Sequence, residues 1–458
     1  MRPTHASILG LVAAAAIATP AAAGTRLAER PPMGWNSWNS FGVTVTEAQV
    51  KANADYMAKH LKRFGWEYVV VDLGWYLPPE IDTSTFKMKS PPQEMDAHGR
   101  LVPHPGKFPS AAGGRGFKPL ADYVHGLGLK FGIHIMRGIP WQADKDGVGI
   151  AGTGLAARSV MDKAAVCEWY SGMYGVDTTR PGGQEYYDSL VALYADWGVD
   201  YIKADDMSRP YHEGEITALS EAIRKSPRPM VLSLSPGATP IERAEHVKAH
   251  ANLWRISPDF WDLWRLLDRQ FELCRQWSPH VGPGHWPDAD MLPLGKLRIS
   301  PDDYVAEQMG LTMKQITNEY SRFTDPEKVT LMTLWSIFRS PLMMGGHLPE
   351  NDALTLLLLT NEEVLAVNQA SARNREVLAE GKAVAWAADA ADGGTYVALF
   401  NRGETVAPVE VPLVKLGLSG TLAVRDIWKR APRGEATGAV RADVEPHGAV
   451  LLKLVPKR

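Results

Sequence analysis

Polar side chains that could do chemistry recur in one kind of place along this 458-residue chain: at the ends of apolar, β-branched runs. Val199-Asp200-Tyr201-Ile202-Lys203-Ala204-Asp205-Asp206 reads as a buried strand that ends in a cation and two acids. Asp72, His134 and Ser235 end three more such runs. Arg255 ends another, with Asp259 just beyond, and Asp290 follows Trp286-Pro287-Asp288. On parallel strands closed into a barrel, all of these would meet at one mouth. Each also has an ordinary reading when taken alone. Lys203 and Asp205 could be an ion pair closing a strand, and Asp259 could cap the helix that follows it. Repetition from strand to strand favours the chemical reading.

Glycoside hydrolysis needs two carboxyl groups flanking the anomeric carbon, one ionised and one carrying a proton. Lys203 lies two residues before Asp205, on the same strand face, and a neighbouring cation favours the carboxylate. Asp205 is therefore the better nucleophile. Asp259 stands between Pro258 and Phe260-Trp261, apolar surroundings suited to a carboxyl that holds a proton. The chain has fifteen tryptophans, and Trp38, Trp75 and Trp286 near the strand ends suit the faces of sugar rings. No glycine-rich phosphate loop ends a strand, and no HxH or HExxH spacing occurs, so neither cofactor nor metal is expected.

The elements that must position these residues follow from periodicity. Apolar runs near 33–38, 68–75, 129–135, 199–205, 229–235, 251–257, 285–292 and 341–346 predict eight strands. Helical spacing over 46–64, 117–127, 184–197, 215–225, 240–249, 261–277 and 326–339 alternates with them, with Thr46 as an N-cap. Two long polar, Gly-containing stretches, 76–116 and 137–182, read as insertions. This alternation predicts an α/β fold, a (β/α)8 TIM barrel over 24–372. Over 373–458 the helical signal vanishes and short alternating runs separated by turns predict an antiparallel β-sandwich domain.

Residues 1–23 have the pattern of a secretory signal peptide: Arg2 and His5, an apolar run over 8–17, and Ala21-Ala22-Ala23. A secreted or periplasmic protein with no membrane span is expected. A net charge of -3 gives no basic footprint for nucleic acid. Cys167 and Cys274 could form one disulfide or remain two buried thiols. Nothing in the sequence sets the oligomeric state.

Met33-Gly34-Trp35-Asn36-Ser37-Trp38, Asp72, Lys203-Ala204-Asp205, Trp254-Arg255 with Asp259, and Trp286-Pro287-Asp288-Ala289-Asp290-Met291-Leu292 together resemble glycoside hydrolase family 27, the α-galactosidase family of clan D. The resemblance spans almost the whole chain after the signal. It implies a retaining exo-hydrolase that releases terminal α-D-galactose from α-linked oligo- or polysaccharides. Asp205 would be the nucleophile and Asp259 the acid/base. Trp38, Asp72, His134, Lys203, Ser235, Arg255 and Asp290 would hold substrate.

The chain departs from that pattern around the sugar. Leu73 follows Asp72 where α-galactosidases have a second acid, the two acids together gripping the 4- and 6-hydroxyls. His134 stands for a Tyr, Ala204 for an aromatic, and Met207 for a Cys of an active-site disulfide. Ser235-Pro236-Gly237 replaces the Glu-Trp segment that reads the 2-position. The alternatives are β-L-arabinopyranosidase, α-N-acetylgalactosaminidase and isomaltose-releasing dextran hydrolase, or a non-catalytic carbohydrate-binding barrel. The last would be free to lose the Asp205 and Asp259 pair. A metal-dependent barrel hydrolase lacks its ligand spacing.

Overall fold

The computed structural model describes residues 27–80, 91–300, 303–317 and 319–457. The expected signal segment, 1–23, lies outside them. Eight parallel strands form the first sheet. They are β1 (Met33–Asn36), β2 (Tyr68–Val71), β3 (Lys130–Met136), β4 (Tyr201–Asp205), β5 (Val231–Leu234), β6 (Leu253–Arg255), β7 (Trp286–Asp288) and β8 (Leu342–Met344). In space they run β7-β6-β5-β4-β3-β2-β1-β8. The ring closes just past β7, where Leu292 bridges in parallel to Met344 on β8. The Leu292 amide donates to Met343 O at 2.8 Å, and the Gly345 amide returns to Leu292 O at 3.0 Å. The fold is a (β/α)8 barrel.

Local sequence explains the scaffold. All four residues of β2, Tyr-Val-Val-Val, are buried, as a strand covered on both faces requires. Gly34 lets β1 approach β2 closely: a Cβ there would sit 2.4 Å from Tyr68 O. Helix Glu47–His60 starts at Thr46, whose side chain accepts from Gln49 while Gln49 answers the Thr46 amide, a reciprocal cap. Helix Asp325–Phe338 is buried continuously from Thr330 to Phe338. A helix covered all round lies between two layers, and this one lies between barrel and sandwich.

The insertion after β3 carries structure that its polar sequence hides. Helix Trp141–Asp146 and a three-stranded antiparallel sheet of Ile139–Pro140, Met173–Val176 and Met161–Val166 occupy it. Helices Ala353–Thr360 and Glu362–Ala370 follow β8, where the sequence pattern predicts none. Cys167 and Cys274 are free buried thiols.

The C-terminal region is a curled antiparallel sheet of eight strands between Ala372 and Pro456. Ala385, Ala387, Val397, Leu399, Leu452 and Leu454 fill its own core. The alternate residues Trp386, Ala398, Phe400 and Leu451 join the barrel core. Phe400 meets Phe271 edge-on at 5.0 Å, and His447 stacks on Trp264 at 3.8 Å. Among the described residues, no helix is long and apolar enough to cross a membrane.

Candidate active site

The strand ends converge on one cavity. Asp72, Lys203, Asp205, Ser235, Arg255, Asp259, Asp290 and Trp38 all line it, and among the described residues none of the sandwich does. Leu73 lines it beside Asp72.

Asp72 follows β2 and is buried. Its Oδ2 accepts from Asn36 Nδ2 at 2.6 Å and from Lys203 Nζ at 2.8 Å; its Oδ1 accepts the Leu73 amide at 2.8 Å. Burial alone would raise its pKa, but the Lys203 charge, with His134 next, outweighs burial and lowers it to about 2. Lys203 is raised in turn: Asp72, then Asp205, overcome its own burial. Lys203 thus pairs directly with Asp72 and acts on Asp205 only through space.

The direct partner of Asp205 is His134. His134 does not line the cavity; it is wholly buried under it, where its Nε2 lies 2.8 Å from Asp205 Oδ2. Its Nδ1 has no hydrogen-bond partner among the described residues. A proton on Nε2 lets the ring donate to the carboxylate. Asp205 Oδ1 accepts the Asp206 amide at 2.6 Å. That amide is aimed by a left-handed backbone at Asp206, φ 62°. Arg137 holds the Asp206 carboxylate at 2.7 Å and Glu215 at 2.6 Å, both buried.

Across the sheet, Arg255 Nη2 contacts Asp290 Oδ2 at 2.7 Å and Asp259 Oδ1 at 3.5 Å. Asp290 Oδ2 also accepts the Phe260 amide at 2.8 Å, which ties down the loop carrying Asp259. Burial, opposed by Arg255 but helped by Asp259 and Asp288, raises Asp290 to about 6. The Asp259 side chain is 29% exposed and faces the Arg255 charge, not the apolar surroundings expected from its flanking residues. Its Oδ2 accepts from Gln308 Nε2 at 3.2 Å.

Two of the three expected aromatic walls lie elsewhere. Trp75 is buried against Phe117 and Trp197, with its indole N–H on His134 O. Trp286 is buried, donates to Ala28 O and lies under Arg339. Trp169 and Trp261 line the cavity beside Trp38, as do Arg209 and Met291. Trp169 comes from the insertion after β3, where only the aromatic pair Trp169-Tyr170 in a polar stretch hints at it. Gln308 carries no signal in the sequence. Among the described residues, no group of three or more His, Cys, Asp or Glu side chains is arranged to hold a metal ion.

The profile described as Alpha galactosidase A matches residues 150–318, and that of the Alpha galactosidase C-terminal beta sandwich domain matches 380–454. A family 27 β-L-arabinopyranosidase from Geobacillus stearothermophilus, solved with arabinose, is 49% identical over 94% of this chain and 98% of its own, with a TM-score of 0.90. A candidate α-N-acetylgalactosaminidase from Bacillus halodurans C-125 is 46% identical over 93% of this chain and 98% of its own, with a TM-score of 0.83. Alpha-galactosidase A of Cellvibrio japonicus is 28% identical over 98% of each chain.

Proposed function

The chain belongs to glycoside hydrolase family 27 and is a glycosidase, and from that premise we propose that it releases terminal β-L-arabinopyranosyl residues with retention at C1. The observation that carries this substrate is Leu73, an apolar side chain lining the cavity beside Asp72 where the α-galactosidase pattern has an acid. β-L-Arabinopyranose has the ring configuration of α-D-galactopyranose without the 6-hydroxymethyl group. It loses nothing when a 6-hydroxyl acceptor is absent, and its bare C5 suits an apolar neighbour. The 49% identity to a β-L-arabinopyranosidase supports the same substrate. An α-D-galactoside, expected from the resemblance, is the runner-up; the matches to α-galactosidases along the chain favour it.

In this mechanism Asp205 attacks C1 while Asp259 protonates the glycosidic oxygen. The C1–O bond breaks and its electron pair leaves with the aglycone. Asp259 then takes a proton from water, which attacks C1 and frees Asp205. The N–H groups of His134 and Asp206 hold one oxygen each of Asp205 and fix its carboxyl group for the attack. Asp72, Lys203, Arg255, Asp290 and Ser235 hold ring hydroxyls, and Trp38 walls the ring.

The test is the ratio of kcat/KM for p-nitrophenyl β-L-arabinopyranoside to that for the α-D-galactoside. The wild type should favour the arabinopyranoside by about tenfold or more. Leu73→Asp should move the ratio toward galactoside by about ten- to a hundredfold, since a hydrogen bond to a charged group is worth roughly 1.5–3 kcal/mol. A wild-type preference for galactoside, unmoved by Leu73→Asp, would overturn the substrate.

A further inference from the structure

Asp259 is reached by a side chain from well outside the barrel strands. Gln308 lies on the short helix Asp303–Met309, in the excursion that follows β7. Its Nε2 donates to Asp259 Oδ2 at 3.2 Å, and its Oε1 accepts from Trp261 Nε1 at 2.9 Å. An amide can ordinarily be turned end for end. Here it cannot, because an indole N–H only donates. Trp261 therefore fixes the oxygen of Gln308, and the nitrogen must face Asp259.

The helix is anchored as well. Val305, Ala306 and Met309 form a small cluster with Trp261 and Ile316, and Trp38 packs against it. Trp38 and Trp261 are also cavity walls. The same cluster that shapes the cavity thus carries the group that holds Asp259.

We propose that Gln308, locked by Trp261, is the positioning residue of the acid/base. This rests on Asp259 having that role. Gln308 donates to Oδ2 at 3.2 Å, while Arg255 reaches Oδ1 only at 3.5 Å, so the more weakly held Oδ1 is the oxygen on which Asp259 exchanges its proton. In the first step Oδ1–H passes to the glycosidic oxygen as the C1–O bond breaks. In the second, Oδ1 takes the proton of the attacking water. Oδ2 is an acceptor in both states, so Gln308 keeps its bond throughout the cycle. A carboxylate at position 308 could not do this, and it would place a like charge beside Asp259.

The experiment compares Gln308→Leu, Gln308→Glu and Asp259→Ala on an alkyl and a 2,4-dinitrophenyl β-L-arabinopyranoside, with kcat/KM followed against pH. The same aglycones on α-D-galactose serve if that is the better substrate. Gln308→Leu should lose about tenfold on the alkyl glycoside and little on the dinitrophenyl one, the worth of one hydrogen bond to a charged group. Its alkaline limb should move up, because a donor to the ionised form is gone. Gln308→Glu should move that limb further. Equal losses on both aglycones with an unmoved alkaline limb would overturn the positioning role. If Asp259→Ala itself shows no leaving-group dependence, the acid/base assignment fails and the role of Gln308 falls with it. If Asp259→Ala shows the dependence and the Gln308 variants do not, only the positioning role is lost.

Discussion

The two carboxyl groups proposed for catalysis, Asp205 and Asp259, are held in opposite manners. Asp205 ends a barrel strand, and both its oxygens have short contacts, 2.8 Å from His134 and 2.6 Å from the Asp206 amide. Buried Arg137 clamps the residue next to it. Asp259 sits on a loop, 29% exposed, with contacts of 3.5 Å to Arg255 and 3.2 Å to Gln308. Tight donors on both oxygens suit a group that must keep one orientation until it attacks. A looser, wetter setting suits one that must gain and lose a proton in every turnover. On the roles proposed above, the contrast separates a nucleophile built into the barrel from an acid/base lent to it by loops.

Removing the two groups should therefore fail differently. Asp205→Ala should cost about ten-thousand-fold or more on every aglycone, as loss of a nucleophile does. Azide should restore turnover on the dinitrophenyl glycoside and yield an α-L-arabinopyranosyl azide, opposite at C1 to the substrate. Near-normal rates without azide would show the nucleophile to be elsewhere. Asp259→Ala should cost about a hundred- to ten-thousand-fold on alkyl glycosides and far less on activated ones. Equal losses across aglycones would reduce it to a binding residue.

A smaller effect probes the support beneath the nucleophile. His134→Ala removes the N–H on Asp205 Oδ2 and should cost about ten- to a hundredfold in kcat/KM, the worth of a hydrogen bond to a charged group. The loss should be alike for alkyl and dinitrophenyl substrates, unlike any change around Asp259. His134→Gln can keep a donor and should recover part of it. A leaving-group-dependent loss in His134→Ala would erase the difference between the two sides.

Which parts could be read in advance follows from that architecture. Asp72, Lys203, Asp205, Ser235, Arg255 and Asp290 could be placed because barrel strands have strong patterns and closure brings their ends together. The pattern places a backbone, not a partner. His134 was expected against the substrate and lies under Asp205; Lys203 was expected on Asp205 and pairs with Asp72. Strand ends do not tell which way an aromatic turns, so Trp75 and Trp286 went to the core. Trp169 and Gln308 come from excursions whose strands and helices are short and half-exposed, where periodicity is weakest. The apolar run of helix Ala353–Thr360 has no polar face to mark it. Sequence could thus reach the nucleophile's side of the cavity more fully than the acid/base side.

The central claim is that Asp205 and Asp259 work by double displacement, and the anomer first released tests it most directly. Proton NMR of early turnover on an aryl β-L-arabinopyranoside should show β-L-arabinopyranose first, with the α anomer appearing only by mutarotation. Initial release of the α anomer would mean single displacement by water, and would contradict the assignment of Asp205 as nucleophile.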